Sequence, residues 1–130
     1  PTLMKLAYRC KGPDRLCVIS DASSAAGFPE GIVFDFGGLE CVVKDGVAML
    51  KDQTSFAGST TLLNQMIPIL VKEVDIPLVE AVRMASLTPA RVIHVDHSKG
   101  SLEPGKDADL VIYESDFSAW RVMVGGNWVI

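Results

Sequence analysis

Residues 16–27 read Leu-Cys-Val-Ile-Ser-Asp-Ala-Ser-Ser-Ala-Ala-Gly, and this stretch decides the fold class. Leu16 to Ser20 is an almost continuous apolar run without polar alternation, the habit of a parallel strand covered on both faces. It stops at Asp21, and the small residues 22–29 after it form a loop. Upstream, Leu3, Leu6, Ala7 and Cys10 recur at helical spacing until Gly12-Pro13 ends the helix over 2–11. A helix, a short turn and a doubly buried strand make half of a βαβ unit, so the chain belongs to the α/β class.

Downstream the pattern changes twice. Ile32–Phe36, Leu39–Lys44 and Val47–Leu50 read as short strands joined at Gly37-Gly38 and Asp45-Gly46, both hairpin signals. A loop is expected over 51–59. Leu63, Met66, Ile67, Leu70, Val71 and Val74 then form a helical stripe that Pro68 should kink or break. Asp75 is placed to cap a second helix with Pro77 in its first turn, burying Leu78, Ala81, Val82 and Ala85. Thr88-Pro89 repeats that signature for a third helix, Pro89–Val95. Leu110–Tyr113, Trp120–Val124 and Asn127–Ile130 are strands, the last two forming a hairpin at Gly125-Gly126. The strands on either side of the helices are expected to share one small sheet.

Composition narrows the function classes. The 130 residues are 48% hydrophobic and 22% charged, which excludes disorder. A net charge of −4 gives no general attraction to nucleic acid or anionic lipid. No apolar run approaches a membrane span. The first ten residues, with Lys5 and Arg9 in a mixed pattern, lack the form of a signal peptide. Cys10, Cys17 and Cys41 have neither disulfide nor zinc-knuckle spacing, so each is expected to be a small buried hydrophobe in a cytoplasmic protein. A mean hydropathy of +0.29 and a first residue that is proline point to a piece of something larger.

The chemistry-bearing residues are few. Asp21 closes the apolar segment, and the carboxyl ends of strands are where parallel α/β folds place their sites. A carboxylate there could take a proton from water and return it; it could equally be a turn former. In Ser55-Phe56-Ala57-Gly58-Ser59-Thr60, Gly58 allows close approach of a ligand to the main chain. Ser59 or Thr60 could cap the next helix and leave N–H groups for an anion. A plain capped helix start explains the same residues. His94 and His97 have a His-x-x-His spacing but sit among solvated residues, and a surface pair fits better than a metal site. Trp120 and Trp128 are expected to pack the final hairpin. No HExxH, P-loop, GxGxxG or GxSxG is present.

Three segments occur in a telling order: VISDASSAAG (18–27), SFAGST (55–60) followed by EAVRMASLTPARV (80–92), and KGSLEPGKDADLVIY (99–113). Together they resemble the C-terminal third of the N-acetylglucosamine-6-phosphate deacetylases of the amidohydrolase superfamily. The resemblance implies a (β/α)₈ TIM barrel with a small β-sandwich domain. Residues 1–98 would be the C-terminal end of the barrel, with residues 16–20 in its eighth strand and a β-hairpin insertion at about 30–50. Residues 99–130 would be the last strands of the small domain. It also implies hydrolysis of N-acetylglucosamine 6-phosphate to glucosamine 6-phosphate and acetate.

In that family the catalytic aspartate falls on Asp21, as general base toward metal-bound water and then general acid toward the leaving amine. Contacts to the sugar phosphate fall on Phe56 and Ala57, with Gly58 and Ser59 completing the substrate-binding segment. The cofactor implied is a divalent metal, zinc or similar, whose ligands are absent from this chain. The partners implied are an amino-sugar phosphate and a second copy in a homodimer. The 130 residues alone are expected to be inactive. Ser20 and His94 depart from the family's usual threonine and glycine. Two other readings stay open: a dihydroorotase- or deaminase-like amidohydrolase, and a non-catalytic β-rich interaction module.

Overall fold

The computed structural model describes residues 1–130 and has the element order α1 (Thr2–Lys11), β1 (Val33–Phe36), β2 (Leu39–Lys44), β3 (Val47–Leu50), β4 (Phe56–Ser59), α2 (Leu63–Lys72), α3 (Leu78–Ala85), α4 (Leu87–Val92), β5 (Leu110–Tyr113), β6 (Ala119–Val124) and β7 (Asn127–Trp128). The chain divides into two compact units, one of residues 1–18 with 67–130 and one of residues 19–66. Its strands form two sheets, β1-β2-β3-β4 and β5-β6-β7, and not the single sheet expected. Each is an antiparallel meander closed by local turns, so neither needs the other's edge.

In the unit of residues 19–66, two residue pairs decide the registers. Gly37 and Gly38, and likewise Asp45 and Gly46, all have positive φ, the condition for two-residue hairpin turns matching strand twist. Glu30 reinforces the second turn by accepting hydrogen bonds from the N–H groups of Asp45 (2.8 Å) and Gly46 (3.3 Å). With register thus fixed, Cys41 and Val43 of β2 face the same side as Ala48 of β3. They form a buried cluster with Ala25 and Ala57, against which Phe34 and Leu50 pack. Residues 56–59, expected as loop, extend the sheet as β4, with Met49 opposite Phe56 and Val47 opposite Ser59 across a register shift. Nothing in Phe-Ala-Gly-Ser alternates, so the strand comes from the free edge of β3.

In the other unit, α1 ends as its sequence dictates: the N–H of Gly12 bonds the carbonyl of Tyr8 (2.8 Å) with φ of 71°. Its apolar stripe buries nothing, and Leu3 is 80% exposed. Tyr8 Oη donates to Glu80 (2.6 Å) and Lys5 pairs with Asp75 (3.2 Å). That pairing corrects the capping role given to Asp75, since α3 begins at Leu78 after Pro77 and has no side-chain cap. Ala81 and Met84 are buried on α3, whereas Leu78 and Val82 are exposed and Ala85 is only partly covered. Pro68 does not break α2, which is continuous over ten residues and anchored by buried Ile67 and Leu70. The proline removes one internal hydrogen bond near the start of the helix. Thr88 lies inside α4, not before it. Its buried hydroxyl donates to the Pro13 carbonyl (2.7 Å).

The apolar run 16–20 forms no strand. Val18 is buried and its N–H bonds the Met84 carbonyl (2.9 Å), but Ile19 is 70% exposed. A strand exists through its neighbours' hydrogen bonds, and no other segment of this chain supplies them. Only Cys41 of the three cysteines is buried; Cys10 is exposed and Cys17 intermediate. Trp120 and Trp128 do not pack inward either. Their half-exposed rings flank the Arg121 guanidinium at 5.2 and 5.5 Å.

Lys99 ties the start of the last segment to its end. It bridges Asp109 and Asp107, and Asp109 also accepts the Gly125 N–H (2.6 Å). The lysine bond, then the backbone bond, holds the Asp109 carboxyl below the usual aspartate range, and the bonds to Asp109 and then Asp107 raise Lys99. A depressed carboxyl stabilises the fold above its unfolded value and stops doing so as pH falls through its folded value; a raised lysine stops as pH rises through its own. Nuclear magnetic resonance of the Gly125 amide is therefore expected to be flat near neutrality and to move in acid below the ordinary aspartate range. Asp109→Asn should abolish that acid step; a step that persists in the variant contradicts the assignment.

Candidate active site

Asp21 lies between the buried Val18 and the turn over 24–27. Its φ of 51° is left-handed, a conformation a short acid tolerates better than most residues. Residues 21–27 are held by main-chain bonds to the end of β4 and to Thr60. Ser59 donates its N–H to the Asp21 carbonyl (2.8 Å), Ser23 donates to the Ser59 carbonyl (3.1 Å), and Gly27 donates to the Thr60 carbonyl (2.9 Å). Ala22 and Ser59 form a single parallel bridge. Small residues are needed here because Ala25 is wholly buried in the cluster under the sheet.

The result is an open cleft of about 270 Å³ lined by Asp21, Ala22, Ser23, Phe36, Phe56, Ala57 and Gly58. Asp21 is exposed and its carboxylate enters no salt bridge, so it is free to bond water or a ligand. Phe36, 44% exposed, and Phe56, 73% exposed, are apolar walls beside it. A carboxylate next to main chain and aromatic surface suits proton exchange with a polar ligand that also has an apolar face.

Of the residues singled out from sequence, Asp21, Phe56, Ala57 and Gly58 meet in this cleft. Ser59 is not among the lining residues, and its N–H and carbonyl are both committed to residues 21–23. Neither Ser59 nor Thr60 caps α2, which starts at Leu63: Ser59 Oγ accepts the Thr61 N–H (2.9 Å), and Thr60 Oγ1 donates to the Gly46 carbonyl (2.5 Å). Phe36 escaped the sequence reading. Its place just before Gly37-Gly38, at the end of β1, was the available signal. His94 and His97 are exposed and outside the cleft.

A model of the amidohydrolase family matches residues 32–129. The chain belongs to the amidohydrolase family. It is 35% identical over 96% of its length to the N-acetylglucosamine-6-phosphate deacetylase of Haemophilus influenzae, and 36% identical over 99% to that of Vibrio furnissii. In both cases the chain spans 32% of the relative's length, about a third. A putative N-acetylgalactosamine-6-phosphate deacetylase of Escherichia coli is 34% identical, and the chain covers 74% of it. Among solved structures, the N-acetylglucosamine-6-phosphate deacetylase of Pasteurella multocida superposes with a TM-score of 0.89 at 36% identity over 98% of this chain and 33% of that one. A mutant of the Mycobacterium smegmatis N-acetyl-D-glucosamine-6-phosphate deacetylase, solved with N-acetyl-D-glucosamine-6-phosphate, gives 0.89 at 34% identity over 100% of this chain and 34% of that one.

Amidohydrolases are generally metal-dependent. The residues of this chain do not fit a metal: no three His, Cys, Asp or Glu side chains converge, and Asp21 is the only such residue lining the cleft.

Proposed function

We propose that the chain is the C-terminal third of an N-acetylglucosamine-6-phosphate deacetylase and contributes its proton-transferring carboxylate and part of its sugar-phosphate site. The observation carrying this reading is the meeting of Asp21 with Phe56, Ala57 and Gly58 in one cleft, in a chain matching enzymes of that name along nearly its whole length. Residues 1–98 then close a (β/α)₈ barrel, with the hairpins at about 30–50 as an insertion, and 99–130 belong to a small β-sandwich domain. Exposed Leu3, Leu6 and Ile19 support this, being apolar surface that a larger domain would cover.

Deacetylation adds water across the amide of N-acetylglucosamine 6-phosphate. The Asp21 carboxylate accepts a proton from the attacking water as the new C–O bond forms. It then delivers that proton to the amide nitrogen as the C–N bond breaks, leaving acetate and glucosamine 6-phosphate. Phe56 and Ala57 approach the sugar phosphate through their main chain. A divalent metal, zinc or similar, belongs to the whole enzyme with its ligands outside these residues. We place that enzyme in the cytoplasm as a homodimer.

The full-length polypeptide is expected to release acetate from N-acetylglucosamine 6-phosphate, and the 130-residue chain to release none above blank after zinc is added. Turnover by the short chain would contradict the absence of a metal cage, and none by the full-length polypeptide would end the deacetylase reading. The Escherichia coli relative favours a second substrate, N-acetylgalactosamine 6-phosphate, differing only at the C4 hydroxyl. Assaying both sugars side by side decides between them.

A further inference from the structure

Gly58 has a φ of +97°, and a Cβ built on it would lie 2.8 Å from Ser23 Cβ, 3.1 Å from the Asp21 carbonyl oxygen and 3.4 Å from the Ser23 nitrogen. All three are atoms of the segment bearing the cleft carboxylate. The next residue, Ser59, contributes no group to the cleft lining, yet its N–H and carbonyl clasp Asp21 and Ser23 at 2.8 and 3.1 Å. Asp21 itself is held at a positive φ, which persists only where surroundings enforce it.

We propose that Gly58 and Ser59 are positioning residues, whose close main-chain seam against 21–23 aims the Asp21 carboxylate, and that this outweighs any contact of theirs with substrate. The inference rests on the proton-transfer reading of Asp21. A side chain at 58 would push β4 off the turn by roughly the overlap of those contacts and swing the carboxylate with the backbone carrying it. Misplacement by about 1 Å costs on the order of 10²-fold in rate when the reacting geometry is tight.

Gly58→Ala in the full-length enzyme is therefore expected to lower kcat by about 10²-fold while KM changes by less than about threefold, with unaltered circular dichroism. Adding Ser23→Gly removes the nearest overlap and should restore kcat partway. If Gly58→Ala alone does not fold, the double variant carries the test, its kcat still reduced by the contact on the Asp21 carbonyl. A wild-type kcat in Gly58→Ala, or in the double variant where the single does not fold, overturns the proposal, as does a rise in KM at constant kcat, which would mark Gly58 as a substrate contact. Asp21→Asn is measured in parallel. Full turnover there removes the underlying reading, whereas lost turnover there beside normal turnover in Gly58→Ala removes only the positioning role.

Discussion

Under the proposed function, Asp21→Asn is expected to lower kcat for acetate release by the full-length polypeptide by about 10²- to 10⁴-fold, the range general acid–base groups contribute. The substitution suits the site. Asparagine has the same shape, tolerates the left-handed φ of 51°, and can still bond water. What it cannot do is take a proton from water and give it to the amine. In the 130-residue chain Asp21 is exposed and outside every ion pair, so no stabilising contact is lost there, and that chain's thermal midpoint should stay within a degree or two of wild type. Steady-state acetate release by the full-length variant and a thermal melt of the 130-residue variant check the two halves. Unchanged turnover would leave Asp21 a turn residue and favour a non-catalytic role for the cleft.

The largest stability effect is expected at Gly100→Ala, about 2–5 kcal/mol, combining left-handed strain of ~1–2 with overpacking of ~1–3 kcal/mol. Gly100 has a φ of +89°, and a Cβ there would lie 2.8 Å from Leu87 Cα, 2.9 Å from Ala90 Cβ and 3.2 Å from the Ser86 carbonyl oxygen. Two of these are main-chain atoms and the third a methyl with no rotamer to change, so the clash has no flexible end to yield. Gly105→Ala is the control: its φ is +91° and nothing lies within 4 Å of the added carbon. It should cost only the backbone part, about 1–2 kcal/mol. Urea midpoints of the two variants separate the contributions. Equal losses would mean that residues 86–90 are not seated against Gly100.

Legibility in the sequence followed the range of the interaction. The turns at 37–38, 45–46 and 125–126 could be read because a two-residue hairpin needs positive φ at both central positions, and glycine or aspartate there announces it. With those turns came β2 and β3 residue for residue. Residues 56–59 were opaque, since β4 exists by pairing with β3 and its own residues carry no period. Residues 16–20 failed in the opposite sense. Their apolar run has the composition of a buried strand, and these 130 residues hold no partner strand for it. Helix starts were misplaced at Asp75 and Thr88 because each polar side chain found a distant partner, Lys5 and Pro13, in place of the local cap.

The order of three short segments carries the resemblance to the family, and that resemblance with the end of the apolar run 16–20 points to Asp21, because both are local properties of the chain. Seating that carboxylate beside Phe36 and Gly58, and committing the Ser59 main chain to hold it there, required residues 21–23, 36 and 56–59 to come together. Those contacts depend on sheet pairing between segments distant in sequence, which no local pattern encodes.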